Sequence, residues 1–279
     1  MENSRAEKHL TTKPISIMIG NDILIYARSF RAISLQEAEK AQLMQRVDSK
    51  YLIPISLSKE ILRRVQKSYY IVDNNGQIVP EYISDYLDTP NFNMYCDHQN
   101  RRPKRYKIRI RQYCATGDSF LEIKIKTPSG KTVKKRIPAT SDTIKQSDIA
   151  EFVTSKSPYR IDQLVKTIET RFNRLTLVAK DYNERVTFDF NLLLAIPGSN
   201  SKELHDDICV MEIKRSKLKS NSEIALILKE MGFRPRGFSK YSIGCALLYP
   251  SIKSNNFKKT ILYLKKIKHE YDQHYNAIG

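Results

Sequence analysis

The chain has 279 residues, 41% of them apolar, and a formal charge of +18 from 48 Lys and Arg against 30 Asp and Glu. That apolar share supports a folded core in one large domain or two modest ones, and the excess of cations favours a phosphate-rich partner, whether nucleic acid, nucleotide, inorganic phosphate chain or anionic membrane surface. Cys96, Cys114, Cys209 and Cys245 form no CxxC pair, which argues against a zinc knuckle or a disulfide framework and for reduced thiols, and no apolar run approaches the roughly 18 to 20 residues that span a bilayer.

Residues 1–28 read as an irregular arm ahead of the first strong helix signal, and the apolar patch 15–27, broken by Asn21 and Asp22 and lacking a small-residue cleavage site, argues against a secretory signal. Ser34 with Glu37 three positions later is a capping-box spacing and predicts a helix up to Leu43. Val47, Tyr51 and Ile53 are strand-like, and Ile61, Leu62 and Val65 give the buried face of a helix over 58–66. Strands follow over 67–72 and 81–87, the latter stopped by Pro90, and 91–103 reads as a short helix or loop. Thr116, Gly117 and Asp118 join strands 105–113 and 119–127 as a hairpin, and the turn at 128–130 leads to a strand over 131–137. Helices are predicted near 147–154 and 161–167, strands over 172–180, 184–190 and 207–214, an amphipathic helix over 222–231 and a basic helix over 256–269. Neither a repeat nor a low-complexity linker is visible, so a single α+β domain is the simplest account.

The strands share a pattern. Lys107, Arg109 and Arg111 alternate with Ile108 and Ile110, while Glu122, Lys124 and Lys126 alternate with Leu121, Ile123 and Ile125. A strand sends alternate side chains to opposite faces, so one face is ionic and the other apolar. Cations two apart on one strand lie about 7 Å from each other and repel by about 2 kcal/mol at an effective dielectric of about 20, which an anion would relieve. Lys134 with Arg136, Arg185 with Thr187 and Asp189, and Glu212 with Lys214 repeat the pattern. Converging ionic faces would make an antiparallel β-barrel with a charged lumen, covered on its apolar outside by helices.

Taken in order, Arg46 to Tyr51, Tyr86 to Thr89, Lys107 to Tyr113, Glu122 to Lys124, Met211 to Lys214 and Phe238 to Tyr241 resemble the VTC catalytic domain, named for the vacuolar transporter chaperone complex. That family belongs to the CYTH-like triphosphate tunnel metalloenzymes and includes polyphosphate polymerases. The resemblance covers about 29–250, leaving 251–279 as a basic C-terminal helix packed on or extending from the domain. It implies a triphosphate tunnel in which Lys50, Arg109, Arg111, Lys124, Arg185 and Lys240 are catalytic, with Arg46, Lys107, Lys126, Lys134, Arg136, Arg174 and Lys214 binding phosphate. It further implies Mn²⁺ or Mg²⁺ on Glu212, with Glu122 and Asp189 as further candidate ligands or simple salt-bridge partners. The ExExK of the triphosphatase and cyclase-like branch is missing, which favours the polymerase branch. The accessory domain and membrane helices of yeast-type members are not visible, so product export would need a membrane-protein partner.

The implied reaction moves the γ-phosphoryl group of ATP onto phosphate or a growing polyphosphate and releases ADP. Such transfer needs alignment and neutralised charge more than covalent help, and an acceptor that is already anionic needs no general base. A triphosphatase on the same scaffold is one alternative. Another is a binding module for polyphosphate or nucleic acid, although no aromatics are interleaved with the basic strands to stack on bases. Gly130, Lys131 and Thr132 copy the end of a Walker A loop, but Ile125 stands where its first glycine belongs, so they form a hairpin turn. His98 reads as a surface or packing residue, and the segment 258–268 as a solvated basic helix for which membrane contact is a minor alternative. A cytoplasmic protein, held to a membrane only through a partner, is the expected setting.

Overall fold

Period-two alternation organises most of the chain. The computed structural model describes residues 23–276 except 42, 44, 45, 219 and 220, and holds one 11-stranded sheet. The strands are β1 (Ala32–Ser34), β2 (Arg46–Pro54), β3 (Tyr69–Asp73), β4 (Glu81–Asp88), β5 (Arg105–Tyr113), β6 (Ser119–Lys126), β7 (Thr132–Pro138), β8 (Val165–Ala179), β9 (Glu184–Ala195), β10 (Lys202–His205) and β11 (Ile208–Ser216). The main path runs β2-β11-β9-β8-β4-β5-β6-β7 with antiparallel neighbours, and the short β1 pairs parallel with β3.

The helices are α1 (Leu35–Ala38), α2 (Ser58–Val65), α3 (Asn93–Gln99), α4 (Ser147–Lys156), α5 (Glu223–Glu230), α6 (Lys240–Leu248) and α7 (Lys258–Asn276). The apolar sides of the strands face this coat. Ile61, Leu62 and Val65 of α2 and Ile224, Ile227 and Leu228 of α5 bury Leu175, Phe188, Met211 and Ile213. Ile149 and Val153 of α4 cover Ile108, Ile110, Leu121 and Ile123, whereas Leu264 and Ile267 of α7 pack with Leu52 and Val210 on the side that carries Lys50 and Glu212. A charged concave face lies opposite.

One end of that concave side is not ionic. Opposite Phe172, β9 carries an extra residue, so Arg171 pairs with Leu193 but Asn173 with Phe190, and Asn191 takes a φ of 52° to accommodate it. The bulge reverses the parity of β9, so Leu192 and Leu194 follow Asp189 on the inner side and pack with Phe172 and Ile243 of α6. Asp88, at the end of β4, accepts from the backbone N–H groups of Met94 and Tyr95 at 2.9 Å each and from the Tyr241 hydroxyl, tying α3 and α6 to the sheet.

Several expectations change. Residues 23–28, expected as irregular, are helical, with Ile23 and Ala27 in the core, while 1–22 lie outside the described residues. The capping box of Ser34 and Glu37 forms, but α1 ends at Ala38. The helix expected over 161–167 is a 3₁₀ turn, Ile161–Gln163, that leads straight into the long β8. β10 and α6 were not anticipated.

Candidate functional site

β2 and β7 end the strand path, yet Lys50 of β2 and Thr132 of β7 line the same cavity of about 820 Å³. The sheet therefore curls until its ends face each other around a tunnel. No hydrogen-bonded ladder joins β2 to β7 among the described residues, so the expected barrel tunnel takes the form of a curled sheet whose ends are not laddered together.

Three carboxylates organise the concave face, each held between two cations. The Glu122 carboxylate takes Arg109 through Nε and Nη2 at 2.9 and 2.7 Å, pairs with Lys134 and accepts from the Tyr113 hydroxyl at 3.2 Å. Asp189 takes Arg174 in a two-pronged pair at 2.6 and 2.8 Å and also binds Lys240. Glu212 pairs with Lys50 and, at 3.0 Å, with Lys214. Burial alone would push these carboxyls up, but the neighbouring cations win: Glu122 falls to about 2, and Asp189 and Glu212 are held well below the carboxylate range.

Three further cations make no ion pair with a carboxylate among the described residues. Lys124 stands at the cavity, and Lys107, next to it, is pushed by burial and by Lys124, Arg105, Arg109 and Lys50 down to about 7. Arg111 is buried, donates to Ser84 Oγ at 3.0 Å, lies over the rings of Tyr82 and Phe172 at 5.7 Å, and is lowered to about 10 by burial and Arg109. Lys107 and Lys124, desolvated side by side, destabilise the empty site, and a multiply charged anion in the cavity would relieve them.

The residues expected from sequence fall into three groups. Lys50, Lys107, Lys124, Lys126 and Glu212 line the cavity. Arg109, Arg111, Lys134, Arg174, Lys214 and Lys240 belong to the ionic clusters on the strands around and behind it. The others do not line it: Arg46 pairs at 2.9 Å with Asp48, which does, Arg185 donates to the Ala38 carbonyl at 2.5 Å, and Arg136 lies 4.4 Å over the Phe120 ring on the exposed β7.

Sequence reasoning missed other cavity residues. His98 of α3 reaches the wall, where its Nδ1 meets Ser242 Oγ at 2.5 Å and burial among cations lowers it to about 3. Arg101, Arg105 and Arg236 add positive charge to the rim, and Ser239 borders the cavity at the start of α6. Of these, Arg105 carried a sequence signal by sharing a strand face with Lys107, and Ser239 by lying in the segment Phe238 to Tyr241 that resembles the VTC domain.

A divalent cation would have little protein to bind. No group of three or more His, Cys, Asp or Glu comes together among the described residues, and of the three carboxylates only Glu212 borders the cavity. That donor set fits Mg²⁺ or Mn²⁺ bound by one carboxylate, with phosphate and water supplying the remaining oxygens.

Comparison with known proteins gives a family. The model of the VTC domain matches residues 45–249. No curated protein matches the chain. Among solved structures, a proposed adenylate cyclase from Vibrio parahaemolyticus is 11% identical, with 71% of this chain and 97% of that one covered and a TM-score of 0.42. Another from Bacillus halodurans is 15% identical, with 70% and 94% covered and a TM-score of 0.42. A proposed adenylyl cyclase from Hippeastrum, described as having a dominant triphosphatase activity, is 12% identical, with 72% and 96% covered and a TM-score of 0.43. At such scores these likenesses add nothing to the family match.

Proposed function

The chain belongs to the VTC domain family, and from that premise we propose that it is a metal-dependent polyphosphate polymerase, transferring the γ-phosphoryl group of ATP onto phosphate or a growing polyphosphate and releasing ADP. The observation that carries this reading is the surplus of cations at Lys107, Arg111 and Lys124 beside three carboxylates that each already pair with two other cations. Arginine clamps phosphate oxygens through a planar fork and lysine acts as a mobile point charge. Lys50, Lys107 and Lys124 would hold the triphosphate at the cavity, while Arg109 and Arg111 neutralise charge that spreads over the transferring oxygens. Glu212 would hold Mg²⁺ or Mn²⁺, whose chemistry when bound would be to offset the negative charge of the phosphate oxygens. ATP and inorganic phosphate or polyphosphate are then the partners, and nucleic acid is not. No helix among the described residues is long and apolar enough to cross a membrane, and attachment through a membrane-protein partner is part of this proposal.

The test is incubation of the purified chain with ATP and Mn²⁺ or Mg²⁺, with polymer resolved on a gel and ADP and free phosphate assayed separately. Polymer with ADP is expected. Free phosphate without polymer would assign the chain to hydrolysis instead. Lys124→Ala, which removes a cation that makes no ion pair with a carboxylate, is expected to lower turnover by roughly 10²-fold or more with the fold intact.

A further inference from the structure

Transfer to a phosphate acceptor requires no general base, yet the cavity wall contains a hydroxyl paired with an amine. Lys107 Nζ lies 2.7 Å from Ser239 Oγ, and Ser239, half-buried, borders the cavity. The same oxygen accepts from the Ser242 N–H at 3.2 Å and lies 3.2 Å from Ser242 Oγ, which in turn meets His98 Nδ1 at 2.5 Å. This chain of polar groups runs from β5 through the first turn of α6 to α3. Capping α6 needs only an acceptor oxygen, which Asn or Asp would provide as well. It does not account for the lysine.

We propose that Ser239 is itself a phosphoryl acceptor, taking the γ-phosphoryl group of a nucleoside triphosphate held in the cavity, with the Lys107 amine as the base. The proposal rests on the reading above, since it needs the same bound triphosphate. In the step, a bond forms between Ser239 Oγ and the γ-phosphorus while the bond from that phosphorus to the β-phosphate oxygen breaks. ADP leaves with that electron pair, and the hydroxyl proton passes to the neutral Lys107 amine. The surroundings favour the neutral form: Arg105 and Arg109 flank Lys107 on β5, Lys124 faces it from β6 and Lys50 from β2, while His98 on α3, itself lowered to about 3, is uncharged and adds no repulsion. The product phosphate would lie over the free N–H groups of the nine-residue α6.

The full chain is incubated with γ-labelled ATP and Mn²⁺ or Mg²⁺, ADP and polymer are assayed in the same tube, and the washed, denatured protein is read by peptide mass spectrometry. One phosphoryl group on Ser239 is expected. Ser239→Asn, which keeps an acceptor oxygen for the Ser242 N–H, is expected to lose the label and retain the melting temperature. Lys107→Arg keeps the cation but not the base, and labelling is expected to fall by roughly 10²-fold. A bound polyanion favours the ammonium form of Lys107, so labelling is expected to quicken from about pH 7 to about pH 9. ADP and polymer without label on Ser239, or label that persists in Ser239→Asn, would overturn the inference and leave the polymerase reading standing. Absence of ADP, polymer and label together would overturn both.

Discussion

Glu122 is 2% exposed, and its carboxylate is shared by Arg109, Lys134 and the Tyr113 hydroxyl. Removing one partner of a buried ionic group leaves the other uncompensated, so Glu122→Ala is expected to cost about 3–5 kcal/mol in urea unfolding. The acid dependence has a definite sign. Glu122 falls from 4.5 to about 2 in the fold, so its contribution, about 3 kcal/mol, is complete above about pH 4.5 and lost as pH drops towards 2. An acid titration of wild type and Glu122→Gln should converge over that window, and parallel curves would refute the assignment. Lys107 behaves in the opposite sense: it is lowered from 10.5 to about 7, and a bound polyanion draws it back towards its ammonium form. Tripolyphosphate binding is therefore expected to take up protons between about pH 7 and 9 and to weaken as pH rises, measured by calorimetry in buffers of different ionisation enthalpy. Strand parity made Lys107, Lys124 and Glu212 legible in the sequence, and Lys50 came from the resemblance of Arg46 to Tyr51 to the VTC domain. Parity also pointed to Arg185, but the carbonyl of Ala38 at the strand's end takes its guanidinium, and no period marks His98 or Arg236, which come from a helix and a loop.

The elements that read clearly were those with one apolar side. The capping box of Ser34, the buried face of α2 and the hairpin through Gly117, whose φ of 75° suits glycine, were all visible as local patterns. α6 was not, because it is apolar on most sides, as expected of a helix enclosed between a sheet's concave face and other helices. The approach to β8 was misread because Ile161, Leu164, Val165 and Ile168 have helical spacing, whereas the cross-strand ladders to β4 and β9 decide the outcome. The bulge at Asn191 is a tertiary feature that alternation cannot show. It makes room for α6, where a Cβ on Gly244 would come within 3.1 Å of Ile168 Cγ2 and 3.6 Å of Leu194 Cδ2. Gly244→Val is expected to destabilise the fold by about 1–3 kcal/mol through overpacking. Gly244→Ala should cost less, because its better helix propensity, worth up to about 1 kcal/mol, offsets a contact that needs only a few tenths of an ångström of relief. Equal stabilities of the two variants by urea denaturation would mean that α6 is not seated against β8 and β9 as described.

At the scale of the whole molecule, a charge of +18 meets an open sheet that gathers many of its cations on one concave face. Composition gave the sign of the partner and strand parity gave the face. The curl did not follow from either, because it depends on which strands end the path, and those are set by the long-range pairing of β2 with β11. Once curled, Lys50 on one end strand and Lys124 on the strand beside the other are brought to one cavity, and Lys50 depresses Lys124 and Lys107 alike. The empty protein therefore stores repulsion that a polyanion releases on binding. A ligand that binds only the folded state at a concentration of 100 times its Kd adds about 2.7 kcal/mol. For a chain of this size that is a rise in melting temperature of about 5 °C. Tripolyphosphate at low salt is expected to produce a shift of that order. Because the term is electrostatic, the shift should shrink as ionic strength goes from about 0.05 to about 0.5 M, and Lys124→Ala should reduce it at every salt concentration. A melting temperature indifferent to tripolyphosphate at low salt would mean that the surplus cations are compensated in some other way and that the concave face is not a polyanion site.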